Sequence, residues 1–402
     1  MLRFFDDPLF QMFSERAMCV MTGNASEYGE VAATAERITD GDRDAWHREW
    51  SATADQVRGW AEESLARGHR VSAAEGFRRA ATYDRIAFYP LYGSPVDPRL
   101  AASFENECAD FARFAQLQPS PVLQVKVPYE GTDLDGYLCL VDDAGAPRPT
   151  LIGVNGYDST VHEMYWSHAQ PALRRGYNCL LVDGPGQGAA LIRQGLHSRP
   201  DWEVVLRAVV DHAVSRPEVD PSRLAVMGWS LGGYYAPRGA GGEHRIAALI
   251  ADPGQLDLLE AARARLPIPG ELVDRLPNVD PAELEPYLTP LLQHPVARWQ
   301  LGQRAVWVHG LSSLGEYPVV LSDYNLHGVV GHISCPTLVT VAKSDPIAAQ
   351  AETLYEALTC PKTLARFTAA DGADGHCEVW NRSRLTQVVF DWLDEVLDHR
   401  TG

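Results

Sequence analysis

The chain has 402 residues, 46% of them apolar and 22% charged, and a formal net charge of −18. That is a globular composition, with length beyond one minimal domain, and it excludes a disordered or fibrous chain. The arginines are scattered and only Lys126, Lys343 and Lys362 are lysines, so nucleic acid and an anionic membrane surface, which need a basic footprint, are excluded as partners.

Within residues 1–20, Asp6, Asp7, Glu15 and Arg16 interrupt the apolar positions, so no secretory signal is read there. The first 120 residues read as helical. Trp46, Trp50, Val57 and Trp60 fall on one stripe of a helix over 40–67. Ser72 with Glu75 forms a capping-box pattern opening the next helix, which Phe77, Ala81 and Phe88 continue toward Pro90. Asp97-Pro98 supplies an N-cap and an N1 proline. Leu100, Phe104, Cys108, Phe111 and Ala115 form the buried face that follows, and Pro119 ends it.

The texture changes at residue 121. Strands are predicted at 122–127 and 134–141 around a Gly-containing turn, then at 150–154, 178–182, 224–227, 246–250, 337–341 and 363–367. Helical patterns such as 201–214 and 384–397 fill the gaps. Apolar strands alternating with helices predict an α/β protein with a mostly parallel, doubly wound sheet. Between 252 and 331 no such strand occurs. That stretch reads as a cap of short helices over the strands' C-terminal edge, where open α/β sheets bind ligands. The expected organisation is a helical lid domain over 1–120, a catalytic core over 121–254 and 331–402, and a cap insertion over 255–330. The seven cysteines are widely spaced without a CxxC pair, which predicts reduced thiols in a cytoplasmic protein and neither a disulfide framework nor a zinc site. No apolar run approaches the ~20 residues of a membrane span. Gly184-Pro185-Gly186-Gln187-Gly188 lacks the rest of a phosphate-loop pattern and reads as a tight turn.

The sharpest chemical signal is Gly228-Trp229-Ser230-Leu231-Gly232-Gly233, lying between a predicted strand and a predicted helix. This is the setting of a nucleophile elbow, with Ser230 as nucleophile. A serine needs a base and the base an orienting acid, in the chain order Ser, acid, His on this kind of sheet. His376, in the polar loop after the last strand, fits as the base. Asp345, at the end of strand 337–341, fits as the acid, with Asp252 as rival at the end of 246–250. The amides of Leu231 and Tyr157 are the expected oxyanion donors. Gly156, Glu163, Tyr165, Trp229 and Asp252 are the expected substrate contacts. Glu163 also has a plain structural explanation, since an acid suits a helix's first turn.

These residues resemble one branch of the α/β-hydrolase superfamily. The Gly-Tyr-Asp-Ser-Thr loop at 156–160, Gly68-His69, the Arg78-Arg79-Ala80-Ala81-Thr82-Tyr83-Asp84-Arg85 run and the G-x-x-x-H-C segment at 372–377 carry the likeness, which extends over about 10–398. The branch includes 2,6-dihydroxypseudooxynicotine hydrolase and fungal polyketide-shortening hydrolases of melanin pathways. The resemblance implies an α/β-hydrolase fold, the triad Ser230, Asp345 and His376, and hydrolysis of a carbon–carbon bond beside a ketone in a small carbonyl substrate. No cofactor and no metal are called for, and a homodimer fits the family without any sequence feature demanding it. Three alternatives remain open at this point: an esterase or thioesterase, an acyl-enzyme cyclase or acyltransferase, and a non-catalytic binding protein on the same scaffold.

Overall fold

The computed structural model describes residues 3–263 and 265–399. It divides into two compact units: Met1–Val122 with Thr289–Trp307, and Leu123–Leu288 with Val308–Gly402.

The first unit is helical, with long helices at Arg43–Ala66, Arg70–Phe88 and Pro98–Leu117 after shorter ones at Pro8–Cys19 and Tyr28–Ala35. Aspartates start three of them. The Asp7, Asp42 and Asp97 side chains each accept first-turn amides, which satisfies donors that a helix leaves orphaned. Apolar aromatic faces hold the unit together. Phe10 packs on Trp46 at 4.5 Å between centroids, Phe13 stacks on Tyr89 at 4.9 Å, and Trp299 meets Phe13 at 4.9 Å. The buried indole N–H groups of Trp46 and Trp299 donate to the carbonyls of Ile86 and Tyr89, so neither ring is buried at the cost of a lost hydrogen bond.

Two sequence expectations fail here. Ser72 does not open its helix, which already starts at Arg70. Gly68 closes the preceding helix in a left-handed conformation, with Gly68 N–H on Leu65 and His69 N–H on Ser64, and this Schellman turn returns the chain to helix at once. Trp60 is 48% exposed. It lies at the edge of the buried arc, whose other side, at Ala61, is drawn against Gly76 so closely that a β-carbon there would lie 2.6 Å from that of Ala61.

The same unit holds a buried ionic cluster. The Arg58 guanidinium bonds Asp84, Asp110 at 2.8 Å, and the exposed Asp55. Burial raises Asp84 well above the usual carboxylate range and pushes Asp110 up to about 6, while the Arg58 charge opposes both shifts.

The second unit is built on an eight-stranded sheet in the order β1-β2-β4-β3-β5-β6-β7-β8. The strands are β1 Val122–Tyr129, β2 Thr132–Cys139, β3 Arg148–Val154, β4 Asn178–Val182, β5 Val219–Trp229, β6 Ala248–Asp252, β7 Thr337–Ala342 and β8 Lys362–Phe367. β2 runs antiparallel to β4; from β4 through β8 every pairing is parallel. β3, β4 and β6 are buried almost end to end, as strands covered on both faces must be. The register sets Val154 beside Gly228 and Trp229 beside Asp252, so the segments after β3, β5 and β6 emerge together at one edge. Between β6 and β7 the chain forms short helices and, among the described residues, one isolated bridge, Asp257 with Asn325. This stretch is not one body: Thr289–Trp307 belongs to the helical unit and the remainder to the sheet unit. The seven cysteines are free. Among the described residues no helix is long and apolar enough to cross a membrane.

Candidate active site

Ser230 follows β5 directly and has φ of 59°, in the left-handed region that costs an L-residue about 1–2 kcal/mol. The surrounding chain holds it there. Its amide donates to the Asp252 carbonyl at 2.7 Å, and its own carbonyl accepts from Gly233 N–H at 2.8 Å and the Gln255 amide at 2.5 Å. The elbow is also too tight for side chains beside the serine. A β-carbon on Gly228 would lie 1.8 Å from the Gly232 carbonyl oxygen, and one on Gly232 would lie 2.4 Å from that of Val154. The turn therefore requires the glycines that the motif supplies.

His376 Nε2 lies 2.9 Å from Ser230 Oγ, and His376 Nδ1 lies 2.8 Å from Asp345 Oδ2. The Asp345 side chain is fully buried, whereas 40% of the His376 side chain is exposed. A buried carboxylate thus faces an accessible imidazole, which in turn faces the hydroxyl. Asp345 is fixed from its other oxygen, which accepts the Ile347 amide at 2.9 Å. The loops carrying acid and histidine are tied to each other, since Ser344 donates from its backbone and its hydroxyl to Asp374. Asp371 instead closes a capping box with Thr368. Asp374 and Asp371 are therefore occupied in shaping the loop.

The loop after β3 approaches the elbow at Gly156, whose amide is taken by the Asn155 side chain at 2.8 Å. Leu231 precedes the helix Gly232–Ala240, where amides point outward without intrahelical acceptors. The Tyr157 phenol bonds His309 Nε2. A chain continues from His309 Nδ1 to Tyr324 at 3.1 Å, from Tyr324 to Ser198 at 2.7 Å, and from Ser198 to Tyr235 at 2.5 Å. Sequence reasoning did not connect Tyr157 with His309, because they stand far apart in the chain and neither belongs to a motif that names the other.

The remaining sequence-chosen residues are buried. Glu163 accepts a hydrogen bond from Ser159, and Tyr165 packs edge-on against Trp166 at 4.7 Å. Trp229 is 9% exposed and packs against the Arg382 guanidinium and the His168 ring. Asp252 is fully buried. Its Oδ1 accepts from Thr340 at 2.9 Å and its Oδ2 lies 3.7 Å from Arg382, so it is Asp345 and not Asp252 that meets His376. Sequence reading also missed Glu378 and Arg382. Both stand within six residues of His376, in a segment read only for its histidine.

Comparison with known proteins gives consistent matches. Residues 151–389 match the family model described as "Alpha/beta hydrolase family", and residues 34–256 match "Esterase FrsA-like". The hydrolase acrC of Aspergillus aculeatus is 33% identical, with 100% of each chain covered. The 20-hydroxy-prefusarin hydrolase FUS2 of Gibberella moniliformis is 32% identical, with 98% of each covered. In structure, 2,6-dihydroxy-pseudo-oxynicotine hydrolase superposes with a TM-score of 0.76 over 96% of this chain and 97% of its own, at 22% identity.

Proposed function

The chain belongs to the alpha/beta hydrolase family and is a hydrolase, and from that premise we propose that it is a serine hydrolase cleaving a carbon–carbon bond beside the carbonyl of an aryl ketone, β-diketone or polyketide-like small molecule. One observation carries the proposal: the unbroken contact from Ser230 Oγ through His376 to the buried Asp345, at 2.9 and 2.8 Å.

In this reading His376 Nε2 accepts the Ser230 proton as Oγ bonds to the substrate carbonyl carbon. Asp345 holds Nδ1–H, fixes the tautomer and stabilises the imidazolium. The carbonyl oxygen becomes an oxyanion that accepts from the Leu231 and Tyr157 amides, donors worth roughly 3–4 kcal/mol each in such sites. When the tetrahedral centre collapses, the bond to the leaving group breaks and His376 returns its proton to that group. Water, deprotonated by the same histidine, then releases the acyl group and regenerates Ser230. A carbon leaving group departs with the bonding pair, so it must be an enolate or an electron-rich arene; this restricts carbon–carbon cleavage to β-diketones and aryl ketones.

The match of residues 34–256 to an esterase model favours a second reading, an ester or thioester substrate on the same machinery. A panel of aryl ketones, β-diketones, esters and thioesters, read by product mass, separates the two. Hydrolysis adds one water to the substrate mass, whereas cyclisation or acyl transfer does not. A fluorophosphonate probe tests the nucleophile: it should modify Ser230 and leave the S230A variant unmodified. Turnover that survives in a folded S230A protein would overturn the reading.

A further inference from the structure

Close to the Ser230–His376 contact lies a second group of side chains that the mechanism does not use. Glu378 is fully buried, and its carboxyl stands within hydrogen-bonding reach of the equally buried Asp252. Among the described residues no N–H or O–H donor reaches either Glu378 oxygen or Asp252 Oδ2. Arg382 is the cation beside them: its Nη1 lies 3.7 Å from Asp252 Oδ2 and donates to the Cys377 carbonyl at 2.9 Å, and its Nη2 donates to the Ser167 carbonyl at 3.1 Å.

We propose that Glu378 and Asp252 share one proton, Glu378 donating to Asp252 Oδ2, and that this pair with Arg382 seats the His376 turn against the Ser230 elbow. Two ionised carboxylates would be acceptor-only groups pressed together away from water, with one guanidinium to balance two charges. One proton turns that repulsion into a charge-assisted O–H···O⁻ bond and leaves the trio neutral. The proton belongs on Glu378, because Asp252 accepts the Thr340 hydroxyl at 2.9 Å and lies 3.7 Å from the guanidinium, whereas no donor reaches either Glu378 oxygen. Burial first, then the Asp252 charge, accordingly hold Glu378 well above the usual carboxylate range. The groups facing it are Asp252 from β6, Arg382 from the helix Arg382–Val396 and Asp345 from the segment after β7. His168, which like Arg382 packs on Trp229, is driven toward its neutral form by burial and then by that cation.

The positioning role follows from the backbone. Cys377 and Glu378, directly after His376, both have left-handed φ, 51° and 49°, a conformation costing each about 1–2 kcal/mol. Such a turn persists only where its surroundings over-determine it, and the buried Glu378 carboxyl is the anchor. At the other end, the Asp252 carbonyl takes the Ser230 amide at 2.7 Å and lies 3.6 Å from Cys377 Sγ. One residue thus ties the serine's backbone to the histidine's turn. The catalytic part of this inference rests on the hydrolase reading; the shared proton does not.

The test uses the full chain with E378Q and E378A. A glutamine donates N–H where the protonated acid donates O–H, so E378Q should restore what E378A loses. Difference infrared spectra of the parent against E378Q should show a protonated-carboxyl C=O band in the parent alone. Fluorophosphonate labelling of Ser230 should slow by up to about a hundredfold in E378A, the scale of a small misplacement of a reacting group, and return toward the parent's rate in E378Q. Because a raised carboxyl supports the fold while protonated and loses that support as pH rises, parent labelling should fall on the alkaline side where E378Q labelling does not. Absence of the infrared band, or E378Q as slow as E378A, would overturn the shared proton. E378A labelling at the parent's rate would overturn the positioning role. If E378A does not fold, the infrared band and the alkaline limb of E378Q decide. A parent protein inert to the probe would instead sink the hydrolase reading, and the infrared arm would still decide the proton.

Discussion

A β-carbon built on Gly156 would lie 2.8 Å from Cβ of Ser230 and 2.8 Å from the carbonyl oxygen of Trp229. The loop after β3 therefore touches the serine with bare backbone, and in the proposed mechanism an amide of that loop binds the oxyanion together with the Leu231 amide. The neighbours are the elbow's own backbone and Ser230 itself, so they cannot give way without moving the hydroxyl. Gly156→Ala should lower kcat by about a hundredfold, the scale of an ångström-sized misplacement, with a smaller effect on KM. Steady-state kinetics beside a thermal melt will separate this from unfolding.

Asp345→Asn keeps an oxygen for the Ile347 amide, so the loop should hold its shape. It replaces the acceptor at His376 Nδ1 with a group that can present N–H and favour the wrong tautomer. Turnover should fall by about 10⁴-fold, as in other triads where this exchange is made, while the melting temperature stays close to the parent's. A loss of less than tenfold would reopen the question of which acid serves His376.

Arg58→Met should destabilise the helical unit by about 3–5 kcal/mol, because Asp84 and Asp110 would remain buried without their cation. The sign with pH is specific. Asp110 has a raised folded value of about 6, so on acidification it takes up a proton in the fold well before an unfolded-chain aspartate does. The penalty of the substitution should be largest at neutral pH and shrink as pH falls through about 6. Urea unfolding of parent and variant at several pH values tests this; a penalty independent of pH would contradict it.

His309→Leu removes the ring nitrogens that bond the Tyr157 and Tyr324 hydroxyls. Tyr324 is buried but keeps its bond to Ser198, so the lost bond should cost about 0.5–1.5 kcal/mol of stability. Denaturant titration will measure it. If Tyr157 also depends on this bond for its backbone placement, fluorophosphonate labelling of Ser230 should slow in the same variant.

The sheet was legible in the sequence because its central strands are apolar on both faces, and a run such as 178–182 has no competing helical period. The elbow was legible because its glycines are demanded by contacts under 3 Å, which leave a local signature in the sequence. Trp60 was misplaced because helical spacing locates a stripe but not its edges. The start of Arg70–Phe88 was missed because Gly68 sets it from outside the helix. The sharing of 255–330 between two units could not be read, since short Leu- and Pro-rich helices carry no sign of what they pack against. Glu378 was hidden for a related reason. Its proposed partner, Asp252, stands far off in sequence and is brought near by the pairing of β6 with β7 and of β7 with β8.

Ser230, Asp345 and His376 follow β5, β7 and β8, and none of them comes from the long stretch between β6 and β7. Three of its residues are nevertheless tied to the site: Gln255 holds the Ser230 carbonyl, and His309 and Tyr324 are joined to Tyr157. In the proposed hydrolase the strand ends fix the chemistry, and the rest of the stretch can vary without touching the parallel register. Directed evolution toward a new substrate should randomise that rest and leave the strand ends and these three residues alone.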